Sequence, residues 1–405
     1  MNEERNIRIE DFDYPLPEER IAFFPVAQRD NSKLLVYRHG ELTDSHFHSL
    51  PDFLTDNDML FFNDSKVIHA RLLVHNATGA AIEIFCLEPL APSRDPATAF
   101  AQTGRVTWKC MVGNAKKWKR PLGIHVSLAG KELVVTATKG ENVEGTFEVT
   151  FEWDDATVSF AEWLEHYGKM PLPPYIKRAA TAEDEQRYQT VYARYDGSVA
   201  APTAGLHFTP QVLETLRNKG VDTTYITLHV GAGTFKPVSS DTIGDHYMHE
   251  EKIVIPEAVV EKLLATRSKR HIAVGTTVTR TMESLFIIGA KLKLGRPDPL
   301  TVSQWEIYDD AALREVSVED SLRAIRDHMQ AQHTDLLRAA TSLIILPTFR
   351  LRMVQGIVTN FHQPKSTLLL LISAFVGDEW RRIYRHALAH DYRFLSYGDS
   401  NLYLP

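Results

Sequence analysis

Four stretches of this chain concentrate side chains that move protons and bind anions. Ser198-Val199-Ala200-Ala201-Pro202-Thr203-Ala204-Gly205-Leu206-His207-Phe208 combines small residues with two hydroxyls and an imidazole. Small residues let a backbone approach a ligand closely, although a tight turn under a packed helix explains them equally well. Thr227-Leu228-His229-Val230-Gly231-Ala232-Gly233-Thr234-Phe235 ends a strand, and His246-Tyr247-Met248-His249-Glu250-Glu251 gathers titratable groups downstream. Val274-Gly275-Thr276-Thr277-Val278-Thr279-Arg280 places three hydroxyls and an arginine at a strand-to-helix junction, where free N–H groups suit a carboxylate. Thr359-Asn360-Phe361-His362-Gln363-Pro364-Lys365-Ser366-Thr367 crowds an amide, an imidazole and an ammonium before an apolar helix. The segment Tyr392 to Asp399 adds a further carboxylate and two phenols. The spacing of His246 and His249 could suit a metal, but no third ligand follows from spacing. Acid-base work or hydrogen bonding is therefore expected of them, and no metal.

The elements that must position these groups are legible from periodicity. Residues 33–38 and 58–62 are short apolar runs that read as strands, and residues 17–22 read as a short helix with proline near its start. Thr209 before Pro210 predicts a helix start, with Gly220 closing that helix and a strand over 221–229. Pro256 opens a helix to about 269, and the strand 271–275 leads into a helix from about Thr277. Such alternation predicts a mostly parallel α/β sheet, whose ligands bind at the carboxyl ends of its strands. Between Val67 and Glu152, five strand-like pieces recur (81–85, 108–112, 124–128, 133–137 and 147–151) with no convincing helix between them, predicting a small antiparallel barrel or sandwich. Residues 291–340 are less regular. A capping box at Ser317 and an apolar stripe of Leu322, Ile325 and Met329 predict an extra surface helix there.

A chain of 405 residues is too long for one core and suggests two domains. Its net charge of −7 argues against a protein coated in nucleic acid, but leaves room for a local basic patch. Lys116-Lys117-Trp118-Lys119-Arg120 is the best such patch, with cations for phosphates and an indole that could stack on a base. A charged hairpin tip is an equal explanation. The two cysteines, Cys86 and Cys110, exclude a disulfide framework and point to a reducing cytoplasm. No apolar run is long enough to span a membrane, and residues 1–5 lack the apolar stretch of a signal peptide.

In order along the chain, these stretches resemble the S-adenosylmethionine:tRNA ribosyltransferase-isomerases of queuosine biosynthesis. The resemblance is carried also by Asp11-Phe12-Asp13-Tyr14-Pro15-Leu16-Pro17, Asn63-Asp64-Ser65-Lys66-Val67-Ile68-His69-Ala70-Arg71-Leu72, Met170-Pro171-Leu172-Pro173-Pro174-Tyr175-Ile176-Lys177-Arg178 and Arg187-Tyr188-Gln189-Thr190-Val191-Tyr192-Ala193. It implies an α/β domain from residues 1–66 and 153–405, with a six-stranded antiparallel β-barrel inserted over 67–152 and an extra helical segment at 291–340. It also implies transfer and isomerisation of the ribosyl unit of S-adenosylmethionine onto 7-aminomethyl-7-deazaguanine at the tRNA wobble position. Epoxyqueuosine-tRNA, adenine and methionine are the products. The resemblance implies S-adenosylmethionine as co-substrate without a permanent cofactor, tRNAs with a GUN anticodon, a monomer and a cytoplasmic setting.

Expected catalytic residues are His207, His229, His246, His249, His362 and Asp399, with base and acid unassigned. Thr203, Gly205, Gly231, Gly233, Thr276, Thr277, Arg280 and Asn360 are expected around S-adenosylmethionine, where Arg280 and the threonines could hold the methionine carboxylate. Lys66, Arg71, Lys116, Lys117, Lys119, Arg120, Lys177, Arg178 and Lys365 are expected to face tRNA. The chain departs from the family where it has His69, Pro347-Thr348-Phe349 and Gln355, changes that flank the Asn360 stretch. Two alternatives are a non-catalytic tRNA-binding paralogue, against which the intact histidines argue, and a different S-adenosylmethionine-dependent RNA-modifying enzyme. The missing glycine-rich first βα turn argues against a methyltransferase.

Overall fold

The computed structural model describes residues 3–128, 130–143, 145–229 and 240–405, and two sheets organise it. Side-chain alternation explains the larger. In the strand Asp58–Asn63 every residue is buried, Met59 and Phe61 in one cluster and Leu60 and Phe62 in another. Successive strand side chains point to opposite faces, so a strand apolar on both must lie between two layers. One layer contains the helices Glu257–Ala265, Thr276–Lys293, Val318–Ala331, Thr367–Val376 and Trp380–Ala389. The other is built on Pro210–Asn218 and the 3-10 turns Phe47–Phe53.

Ten strands form this sheet, in the order Thr301–Val302, Leu336–Thr341, Glu251–Pro256, Asp222–His229, Asp58–Asn63, Arg270–Val274, Gly356–Asn360, Ser400–Leu404, Lys33–Arg38, Glu41–His46. The central four, Asp222–His229 to Gly356–Asn360, are mutually parallel, and antiparallel pairings flank them on both sides. The sheet is thus mixed, with a parallel centre.

The smaller sheet has six antiparallel strands, ordered Arg71–His75, Ala81–Ala91, Arg105–Gly113, Thr146–Glu152, Lys131–Val143, Leu122–Leu128. Its two edge strands approach each other and nearly close a barrel. Alternate residues fill its core, among them Leu72, Ile84, Trp108, Val135 and Phe151. Cys86 and Cys110 face each other in register within it, both buried and both free. The helix Phe160–Tyr167, started by a Ser159–Glu162 capping box, adds Phe160, Trp163 and Leu164 to the same core.

Three local expectations change. Residues 17–22 contain only the 3-10 turn Glu18–Arg20, with Pro17 before it. A short helix, Pro96–Phe100, does interrupt the barrel strands. Residues 291–340 are not a surface appendage, because Thr301–Val302 and Leu336–Thr341 enter the large sheet. Their helix Val318–Ala331 lies so close to Thr276–Lys293 that a Cβ on Gly289 would sit 2.2 Å from the Ser321 carbonyl oxygen. Its stripe Leu322, Ile325 and Met329 is fully buried, each side chain contributing about 1.5–3 kcal/mol. Among the described residues, no helix is long and apolar enough to cross a membrane.

Candidate active site

The carboxyl ends of the parallel strands Arg270–Val274 and Gly356–Asn360 open onto a cleft walled by residues 200–204, 275–277 and 359–368, with Tyr175, Leu395 and Ser396. Two helices begin there. Thr276–Lys293 starts after Gly275 and Thr367–Val376 after Ser366, and among the described residues no side chain caps either start. Their free N–H groups and aligned dipoles favour negative charge in the cleft.

A smaller cavity adjoins the cleft and shares Thr367 and Leu368 with it. His246, Tyr247, Met248, His249, Glu251, Arg280 and the apolar residues 343–345 line it. Arg280 is only 8% exposed. Its Nε donates to the Leu343 carbonyl at 3.0 Å and its Nη1 to Glu251 Oε2 at 2.8 Å. Its Nη2 is buried and has no partner among the described residues. A guanidinium with an unused donor in an apolar cavity is suited to a carboxylate.

In the cleft itself, Asn360 Nδ2 donates to the Leu395 carbonyl at 3.2 Å and lies 3.1 Å from His207 Nε2. The other ring nitrogen of His207, Nδ1, is 2.8 Å from Ser32 Oγ. Burial pushes this imidazole down to about 3, so it is neutral near pH 7. With Asn360 donating to Nε2, the ring proton sits on Nδ1 and goes to Ser32. His362 Nε2 lies 2.9 Å from Thr359 Oγ1, and burial pushes this imidazole down to about 3 as well. The backbone N–H of His362 donates to Tyr384 Oη at 3.1 Å, and its carbonyl accepts from Tyr14. Burial lowers His246 too.

The profile of the queuosine biosynthesis proteins matches residues 9–403. The chain belongs to that family. It is 42% identical over 400 residues to the S-adenosylmethionine:tRNA ribosyltransferase-isomerase of Azoarcus sp. (strain BH72), covering 98% of this chain and 97% of that protein. To the protein of the same name from Halothermothrix orenii it is 36% identical over 404 residues, covering 98% and 100%. A crystal structure of S-adenosylmethionine tRNA ribosyltransferase from Thermotoga maritima is 28% identical, covers 97% of this chain and 100% of that one, and superposes with a TM-score of 0.46.

In this queuosine biosynthesis protein, folding sorts the expected residues into separate groups. The cleft gathers Thr203, Thr276, Thr277, Asn360, His362 and Lys365, and the smaller cavity gathers His246, His249 and Arg280. Arg280 therefore does not share a cavity with the threonines of its own helix. His207 sits behind Asn360 and lines a different, small recess. Gly205 is needed for packing, since a Cβ there would lie 2.0 Å from Tyr192 Oη. His229 lines a third cavity with Glu250, Lys252 and the barrel residue Lys109. Asp399 accepts the backbone N–H groups of Lys33 at 2.9 Å and Arg393 at 2.7 Å, so it braces the chain rather than facing the cleft. Gly231 and Gly233 lie outside the described residues.

The cations divide as well. Lys66 pairs with Asp196 at 3.2 Å, Lys177 with Glu18 at 2.8 Å, Arg178 with Asp184 at 2.6 Å, Lys365 with Glu10 at 2.9 Å, and Arg71 with Glu83. Lys116, Lys117, Lys119 and Arg120 are exposed and have no ion-pair partner among the described residues. Trp118, between them, is 3% exposed and part of the barrel core, so it is no stacking platform. Its indole gains more from burial among apolar side chains than a surface position would give it.

Tyr175 escaped the sequence reading, although its run was among those carrying the resemblance. Its hydroxyl lies 2.5 Å from Ser396 Oγ, and burial pushes it up to about 12. The apolar wall 343–345 gave no signal distinguishing it from core. The departures from the family avoid both cavities. Thr348 is exposed in a turn without positive φ, so the residue needs no glycine there. Gln355 exchanges hydrogen bonds with His271 at the amino ends of the strands, opposite the cleft. His69 contacts the Glu165 carbonyl at 2.9 Å. Among the described residues His246 and His249 belong to no three-ligand group, whereas Asp44, His386 and His390 place ligand atoms within 4.8 Å of one another.

Proposed function

We propose that this chain transfers and isomerises the ribosyl unit of S-adenosylmethionine onto 7-aminomethyl-7-deazaguanine in the wobble position of tRNAs with a GUN anticodon. Epoxyqueuosine-tRNA, adenine and methionine leave. The observation that carries this reading is Arg280 Nη2, a buried unpaired donor in an apolar cavity adjoining the cleft. The methionine carboxylate meets that donor, its methylenes meet residues 343–345, and the nucleoside extends into the cleft past Thr367 and Leu368. The relatives bearing the name S-adenosylmethionine:tRNA ribosyltransferase-isomerase support it over their whole length.

The sulfonium acidifies the neighbouring 5′ carbon, so the reaction starts with a base, and departing adenine takes up a proton. His246, His249 and His362 line the two cavities and are the candidate proton carriers. Burial keeps His362 neutral, so it can hydrogen-bond to adenine or accept a proton, and the proton that adenine takes up comes from another group. In this reading His207 and Asp399 hold neighbouring groups in place. S-adenosylmethionine is a co-substrate, and the protein acts as a cytoplasmic monomer.

The test is incubation with S-adenosylmethionine and tRNA carrying 7-aminomethyl-7-deazaguanine, followed by nucleoside mass analysis and a search for adenine. Epoxyqueuosine with stoichiometric adenine supports the reading, and S-adenosylhomocysteine or an unchanged tRNA refutes it. The four free cations on the barrel serve the RNA. Replacing Lys116, Lys117, Lys119 and Arg120 together by alanine is expected to raise the KM for tRNA about 10- to 100-fold near physiological salt. The salt dependence of binding should weaken by about three counterions, while S-adenosylmethionine affinity stays as it was. Unchanged tRNA binding would move the RNA surface elsewhere.

A further inference from the structure

Asn360 is 3% exposed, lines the cleft and leaves its Oδ1 without a partner among the described residues. Which end of a buried amide is which follows from its neighbours. One neighbour of Nδ2 is the carbonyl of Leu395 at 3.2 Å, which can only accept. Turning the amide over would put two carbonyl oxygens against each other. The other neighbour, His207 Nε2 at 3.1 Å, then accepts, which places the ring proton on Nδ1, where the Ser32 hydroxyl can turn to accept it. The Leu395 carbonyl therefore locks the amide in one orientation, and His207 and Ser32 follow it. Both its N–H groups are consumed, and only an acceptor remains.

We propose that Asn360 Oδ1 is the group that selects adenine in the bound nucleoside, by accepting a hydrogen bond from its 6-amino group. The proposal rests on the reading above, in which the methionine carboxylate occupies the Arg280 cavity and the nucleoside the cleft. A buried acceptor left empty loses a hydrogen bond, so the ligand must bring a donor to it. Ribose hydroxyls rotate and serve as donor or acceptor, so they gain nothing from an amide that cannot turn. A 6-amino group only donates. An unlocked asparagine would flip and present its N–H₂ to a 6-keto ring equally well, and the lock forbids that adaptation. Discrimination of this kind comes from leaving a polar atom unpaired with the wrong ligand.

The experiment is calorimetric titration of the full chain with S-adenosylmethionine, its purine analogue lacking the 6-amino group, and its 2′-deoxy analogue. The wild-type protein is expected to bind the desamino analogue about tenfold more weakly than S-adenosylmethionine. Asn360→Leu, checked for folding by circular dichroism, is expected to bind both equally and to keep the wild-type loss for the 2′-deoxy analogue. Equal binding of S-adenosylmethionine and the desamino analogue by the wild type overturns the proposal without recourse to any variant. So does an Asn360→Leu protein that still discriminates the 6-amino group, or one that instead ceases to discriminate the 2′-hydroxyl. If S-adenosylmethionine itself does not bind the wild type, the functional reading fails, an outcome distinct from a loss of base selectivity.

Discussion

Arg280→Lys is expected to yield a folded protein that binds S-adenosylmethionine about 10- to 100-fold more weakly. The guanidinium makes three separate uses of its donors. Nε holds the Leu343 carbonyl, Nη1 holds Glu251, and Nη2 is left over. A lysine ammonium is one compact charge and cannot span that fork. It can keep Glu251 company in the interior, which preserves the fold, but then no fixed donor faces the cavity. A hydrogen bond to a charged ligand group accounts for about 1.5–3 kcal/mol, which sets the expected loss. Arg280→Met is the harsher change. It removes the Arg280 ion pair from the Glu251 carboxylate, 5% exposed, and is expected to lower stability as well as affinity. Titration calorimetry with S-adenosylmethionine and urea denaturation separate the two effects. Wild-type affinity in the lysine variant would show that the carboxylate binds elsewhere.

The second large effect concerns Glu283, on the same helix and fully buried. Its carboxylate accepts the backbone N–H groups of Arg352, Met353 and Val354 at 2.9–3.1 Å. These residues lead into the strand Gly356–Asn360, so the carboxylate fixes the approach to Asn360. Glu283→Ala strands three amides, those of Met353 and Val354 buried and that of Arg352 half-buried, each worth about 1–3 kcal/mol, and is expected to destabilise the chain by about 4 kcal/mol. Burial raises this carboxyl from its ordinary 4.5 to about 7, against the pull of the amides. The folded chain then keeps a proton that the unfolded chain releases at lower pH. That contribution to stability is complete below about pH 4.5 and is lost as pH rises through 7. The destabilisation by Glu283→Ala should therefore be larger at pH 5 than at pH 8, by up to about 3 kcal/mol. Denaturation midpoints of both proteins at the two pH values measure it, and a pH-independent difference would mean that Glu283 is charged throughout.

Much of the fold was legible because local physics and the final structure agree. The strand–helix alternation, the Thr209–Pro210 helix start and the barrel strands are all set by patterns of two or 3.6 residues and by capping chemistry. The helix Val318–Ala331 was legible as a helix but not as part of the core. Its amphipathic stripe shows that one face is buried, while its partner, the Gly289 face of Thr276–Lys293, lies far away in sequence. Trp118 failed for a related reason. Four cations surround it in sequence, yet the connection between the strands Arg105–Gly113 and Leu122–Leu128 turns the indole inward and the charges outward.

The residue types around the chemistry were determined by the sequence alone: the four dense stretches, the cations and the family they spell out. Only the tertiary structure decided how they divide. Thr276 and Arg280 are one turn apart on the same face of one helix, yet they line different cavities, which adjoin at Thr367 and Leu368. His207 and Asp399 stand out in the sequence because their side chains can move protons. Folding gives each close partners, His207 with Ser32 and Asn360, Asp399 with two backbone amides. Whether a polar group is free for a ligand depends on which partners folding brings within about 3 Å, and apart from Arg393 the partners here come from 150 or more positions away in the chain.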